Sequence, residues 1–244
     1  MVKQFLLFFI LIVMFSQCKD SDVEEFDPNT FAEIEENYGI YVKYEYSESF
    51  FPKNWLQPPI SANGYQLDYF EAGRMEPIID DFLSPYSYAF LQVNLHKIYL
   101  LKKLFFYERT VAIGTYSQTD IYLIVHAQDS DYLLGELHKL FFEMLYRNYG
   151  PNFFPTEEWN AVNDSEFTYG GTDLLNLSTE ERREKGLLGQ MSIWSMESDF
   201  KVFVDWIFTR PEELQELCNK YDKIREKYNL VIQFYDQMNS GVEF

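Results

Sequence analysis

The 244-residue sequence is poor in histidine, cysteine and cationic side chains, and each shortage excludes something. His96, His126 and His138 include no pair four residues apart, so no helix presents the H-E-x-x-H arrangement in which two imidazoles one turn apart grip a zinc ion. Cys18 and Cys218 are the only thiols, which leaves neither a disulfide framework nor a cysteine zinc site once Cys18 is modified. Lys and Arg number 20 against 39 Asp and Glu, for a net charge of −19. That balance excludes a nucleic-acid partner, because phosphate binding needs clustered cations. The glycines at 170–171 and 186–189 lack phosphate-loop spacing and read as turns. The apolar run at 5–15 is eleven residues, whereas a bilayer core takes about 20 in a helix.

What is present begins with that run. Lys3, the apolar stretch and Ser16-Gln17-Cys18 read as a lipoprotein signal peptide over residues 1–17, with Cys18 as the lipid attachment point. Phe15 and Gln17 depart from the usual Leu and small residue of the cleavage site. Residues 18–29 are acidic and poor in apolar side chains, so they read as a tether of the surface-export kind. The remaining chain, residues 30–244, is long enough for one domain with a real core. Aromatic residues make up 19% of the sequence; most are expected in the core, while exposed Tyr and Trp would suit stacking on sugars or peptides.

Periodicity predicts an α+β order. A helical pattern with Phe31 and Ile34 runs to Asn37, and residues 38–46 alternate as a half-buried strand. A proline-punctuated connection covers 51–59; a helix restarted near Pro77 covers 66–83. Strands are expected at 97–101, 112–115 and 120–125. Asp129 or Ser130 caps a helix carrying Leu133, Leu137, Leu140, Phe141, Met144 and Leu145 up to Gly150, where Pro151 breaks it. Helices follow at 156–162, 179–185, 199–208 and, started by Pro211, 211–228.

Four segments carry a resemblance. Tyr38-Gly39-Ile40-Tyr41-Val42-Lys43-Tyr44 is similar to a Tyr-Asn-Ile-x-Val-x-Tyr strand, and Leu56-Gln57-Pro58-Pro59 to a Leu-x-Pro-Pro turn. The helix from Leu137 is the third, and the stretch from Gly186 to Asp199-Phe200 the fourth. In this order they resemble the substrate import-associated zinc metallohydrolase lipoproteins, found beside starch-utilisation-type glycan importers in Bacteroidota. The resemblance implies a zincin-like, gluzincin-type fold: a small sheet followed by a mostly helical C-terminal part.

It also implies a degenerate zinc site. The first ligand position falls on Lys139, the general-base position on Leu140 and the second ligand on Glu143. Ser198 stands where the family has a Glu, Asp199 and Phe200 are retained, and the next family Glu falls on Lys201 or Val202. Without a carboxylate at the base position, water activation of this type is lost. Lys139 and Glu143, at i and i+4, are expected to pair with each other, either buried in place of the metal or exposed. The alternative is a hydrolase with relocated ligands, in which His138 joins Glu136, Glu143 or Asp199 on zinc. Ser192, Ser195 and Ser198 have no histidine in a context suggesting a triad. Trp159, Trp194, Trp206 and Tyr169 either line a cleft or fill the core.

These readings lead to an expected outer-membrane lipoprotein with a metallopeptidase-like fold, without catalytic residues and without a resident cofactor. Its expected partners are the membrane, through lipid on Cys18, an importer channel with its lid lipoprotein, and a glycan or peptide ligand.

Overall fold

The computed structural model describes residues 31–125 and 129–242. The segments expected as signal peptide and acidic tether, with Cys18, and also His126 lie outside the described residues. The chain opens with helix α1 (Ala32–Tyr38), which ends where Gly39 turns left-handed at φ 66°. Strand β1 (Tyr41–Lys43) follows, then β2 (Asn63–Gln66), α2 (Tyr69–Gly73), α3 (Glu76–Leu83) and α4 (Tyr88–Asn94). Next come β3 (Lys97–Phe106), β4 (Arg109–Thr110), β5 (Gly114–Tyr116) and β6 (Asp120–Ile124). The rest is helical: α5 (Ser130–Phe153), α6 (Thr156–Val162), α7 (Thr179–Glu184), α8 (Met196–Thr209), α9 (Pro211–Lys220) and α10 (Asp222–Gln237). This is the α+β order expected, a small open sheet followed by helices.

The sheet runs β1-β3-β6-β5. β1, β3 and β6 are parallel, with Tyr41 against Lys97 and Ile98 against Ile121, while β5 is antiparallel to β6 and forms an edge. β2 and β4 extend the sheet along the second half of β3. Ile98, Leu100, Ile121 and Leu123 on one face of these strands are buried against the helices. Tyr99, Leu101, Tyr122 and Ile124, on the other face, are buried under the loop carrying Phe50 and Phe51. Both faces are covered, so the strands read as continuous apolar runs rather than alternating ones.

α5 is the central helix. Asp129 caps it by accepting from the Tyr132 N–H at 2.8 Å. It buries residues around nearly its whole circumference, from Leu133 to Leu145. Gly135 lets α8 come close, since a Cβ there would meet Asp205 Oδ1 at 2.0 Å. Gly114 does the same for the edge strand, where a Cβ would lie 2.9 Å from Leu140 Cδ1. Phe142, Phe200, Phe154 and Phe234 then lock α5 to α8 and α10, with Phe142 and Phe200 stacked at 4.9 Å. Such ring pairs contribute about 0.5–1.5 kcal/mol each beyond area burial.

Several boundaries differ from the sequence reading. The helix does not stop at Gly150 but carries Pro151 inside it to Phe153. Only one ladder bond is forfeited there, the one to the Arg147 carbonyl, and the helix ends a few residues later with the Phe154 N–H on Gly150 O at 3.0 Å. The segment expected as one helix over 211–228 is two, because Tyr221 turns extended at φ −125°. The strand at 38–46 pairs only over Tyr41–Lys43, although Ile40 and Val42 point inward as its alternation requires. Residue 66 belongs to β2 rather than to a helix, and the helical stretch after it is restarted as expected, with Pro77 in the first turn of α3. Among the described residues no helix is long and apolar enough to cross a membrane.

Candidate functional site

The positions that the resemblance gives to the zinc site lie where α5 packs against β5 and α8, a region here termed the cleft. At its floor the Leu140 side chain is 7% exposed and packs against β5 at Gly114. Lys139 and Glu143 flank it on the helix surface, each about a quarter exposed. The expected Lys139–Glu143 pair is not formed. Lys139 Nζ turns back one turn to Glu136 Oε1 at 2.5 Å, and its cation also acts on Asp205, whose carboxyl is raised first by burial. Glu143 pairs instead with Lys201, across the gap on α8. Each side chain thus has an opposite charge nearer than the one four residues along its own helix. Lys201 is one of the positions where the resemblance would put the next acidic group, and it arrives as a cation facing the second-ligand position.

The edge strand closes the other side. Arg147 lies over the Tyr116 ring at 5.0 Å and donates from Nη2 to the Ser117 carbonyl at 2.5 Å. Burial raises the Tyr116 phenol pKa, with the Glu143 and Glu197 carboxylates adding to it and Arg147 opposing. Lys139, Glu143, Lys201 and Arg147 thus each already have a partner. Among the described residues no group of three or more His, Cys, Asp and Glu is placed to hold a metal ion.

His138 faces away from the cleft. It is wholly buried, stacked on Phe208 at 3.7 Å with ring planes 4° apart, and its Nδ1 meets Tyr86 Oη at 2.9 Å. Burial holds its pKa well below the ordinary histidine value. The structure gathers none of Glu136, Glu143 and Asp199 around it.

Asp199 also turns inward. Its Oδ2 accepts from Lys227 Nζ at 2.7 Å and from Tyr169 Oη at 2.9 Å, and both ionic side chains are fully buried. Tyr169 Oη in turn accepts from Trp159 Nε1 at 2.9 Å, and Lys227 Nζ sits 5.2 Å over the Trp159 ring. Burial pushes the Asp199 carboxyl up and the Lys227 ammonium down, and their mutual attraction opposes both shifts. Ser192, wholly buried, faces the same carboxyl group. Ser195 caps α8 by accepting from the Ser198 N–H at 3.0 Å, and the two hydroxyls are bonded to each other at 3.0 Å. The retained Asp199 is thus a core strut, and Ser198 is part of a helix cap.

Of the aromatic candidates, Trp159 and Trp206 are core and Trp194 is exposed. Lys227 escapes the sequence reading, and Lys201 enters it only as a position lacking the family's Glu, because a lysine on an amphipathic helix ordinarily marks the solvated side. Nothing in the sequence signals the partners that hold them.

No family model and no curated protein matches the sequence. Among solved structures, this chain is similar to the crystal structure of a "putative zinc-binding metallo-peptidase from Bacteroides caccae ATCC 43185". The identity is 13%, the match covers 91% of this chain and 85% of that one, and the TM-score is 0.49.

Proposed function

We propose that this chain is a metallopeptidase-like lipoprotein of the outer membrane, lipidated at Cys18, whose cleft binds a ligand and does not hydrolyse it. It serves as an accessory to nutrient uptake by a starch-utilisation-type importer, in company with the channel and its lid lipoprotein. The observation that carries the non-catalytic reading is the Glu143–Lys201 pair beside a buried Leu140. The residues do not fit a zinc ion: Lys139 is a cation, Leu140 offers no donor, and Glu143 is already neutralised by Lys201. A buried leucine cannot take a proton from water, so the position that would act as general base has no basic group.

Two experiments test the proposal. The chain without its signal peptide, supplied with zinc and a mixed peptide substrate, is expected to leave it intact; hydrolysis abolished by a His138→Gln change would overturn the non-catalytic reading. Cys18→Ala is expected to move the protein out of the membrane fraction. Persistence there would mean that Cys18 is not the attachment point.

A further inference from the structure

A recess lies beyond the end of the edge strand, lined by residues 117–120 and by Arg147. It has a volume of about 490 Å³, within the range of small-molecule sites. Its wall is made by two loops, the segment of Asn54 and Trp55 and the β5–β6 turn of Gln118 and Asp120, with Arg147 reaching in from α5. We infer that this pocket is a binding site for an uncharged saccharide, stacked on the Trp55 indole and hydrogen-bonded by Asn54, Gln118, Asp120 and Arg147.

Three observations carry this. Trp55 is a supported platform, its ring held by Phe106 at 5.1 Å and by Tyr122 at 5.3 Å, while it still lines the pocket. The Tyr122 hydroxyl donates to the Phe50 carbonyl at 2.8 Å and so pins the loop that carries it. An indole face offers its π surface to the C–H face of a sugar ring, and it loses little conformational entropy in doing so because it is already fixed. The exposed Asn54 and Gln118 amides beside it can each take two neighbouring hydroxyls at once, while Asp120, already hydrogen-bonded to the Ser117 and Thr119 side chains, and Arg147, already donating from Nη2 to the Ser117 carbonyl, keep further acceptor and donor capacity.

The charge favours a neutral ligand. Asp120 and Arg147 contribute one formal charge of each sign to the lining, and the chain as a whole carries −19, which disfavours an anion without helping a polyol or hindering it.

A peptide laid along the backbone is disfavoured by the hydrogen bonds already present. Ser117 N–H donates to Asp120 O at 2.8 Å, Ser117 O accepts from Arg147, and Thr119 O accepts from the His96 N–H at 2.7 Å. The turn thus has little main-chain valence left for strand addition. Recognition falls to the side chains. The pocket stands apart from the question of metal in the cleft, and its test reads neither zinc nor hydrolysis.

The test titrates the full mature chain by calorimetry with maltotriose, cellotriose, xylotriose and mannotriose, and with tri-alanine as the peptide probe. At least one trisaccharide is expected to bind saturably. Trp55→Ala is expected to weaken it about tenfold or more, roughly 1.4 kcal/mol. Because Trp55 also packs on Phe106 and Tyr122, the exposed Asn54→Ala and Gln118→Ala changes serve as second variants, each weakening binding by about threefold. Trp194→Ala, at an exposed tryptophan outside the pocket, is expected to change nothing. Failure of all four trisaccharides to bind, unchanged affinity in Asn54→Ala and Gln118→Ala, or displacement of the sugar by tri-alanine would each overturn the inference.

Discussion

Glu143 on α5 and Lys201 on α8 form a salt bridge that ties the two helices together across the cleft, each side chain about a quarter exposed. The contact joins residues 58 positions apart in sequence and sits where the resemblance would put a second metal ligand opposite a third. Beneath it Leu140 seals the helix against the Gly114 strand.

A double-mutant cycle measures that tie. Glu143→Ala and Lys201→Ala are each expected to lower stability modestly, with a coupling energy of about 0.5–1 kcal/mol after allowance for partial solvent screening. The coupling should shrink as salt is raised, because a pair about a quarter exposed is partly screened. Chemical denaturation at two ionic strengths reads it; a coupling of zero at low salt would remove the pair from the account.

The buried pair behaves differently. Asp199 and Lys227 are both fully buried, so removing one leaves an uncompensated charge in the core. Asp199→Ala is expected to cost about 3–5 kcal/mol, and Asp199→Leu combined with Lys227→Met far less. If the double replacement unfolds the chain more than the single one, the pair stabilises beyond what charge balance explains.

His138 gives the fold an acid-labile element. Its folded pKa lies well below the ordinary value of about 6.5 because burial penalises the charged ring. Below that pH the unfolded chain takes a proton that the folded chain refuses, so stability is fully present above about pH 6.5. It falls by about 1.4 kcal/mol per unit as the pH drops towards the folded pKa. Asp199, Asp205 and Asp120, whose carboxyls burial raises, push the other way in any variant that keeps them. Thermal melts of the wild type and of His138→Phe between pH 7 and pH 5 isolate the histidine. The wild type should lose more, and equal losses would contradict the assignment.

Much of the fold was legible because its signals are local. Asp129 before an apolar series spaced by three and four residues identified α5, and the β-branched and aromatic run at 120–125 identified β6. β2 was missed because Asn63-Gly64-Tyr65-Gln66 presents only Gly64 to the interior, and α4 because its cap, Ser87, follows closely on Pro85. The break at Tyr221 has neither glycine nor proline; it places α9 and α10 as separate elements, and the apolar spacing runs on through it. In the site, residue positions were legible and partners were not. Lys139 and Glu143 were read as each other's neighbours because helix periodicity sees only one helix, whereas Lys201 and Glu136 decide the outcome through tertiary placement. Asp199 looked like a cleft residue by its place in a motif and is a core residue by its contacts.

The measurement that bears most directly on the cleft is the zinc content, by plasma mass spectrometry, of residues 19–244 purified without chelator. If paired side chains stand where a metal would, zinc is far below one atom per chain and does not change in Glu143→Ala or His138→Ala. One zinc per chain, lost in either variant, would contradict the central claim.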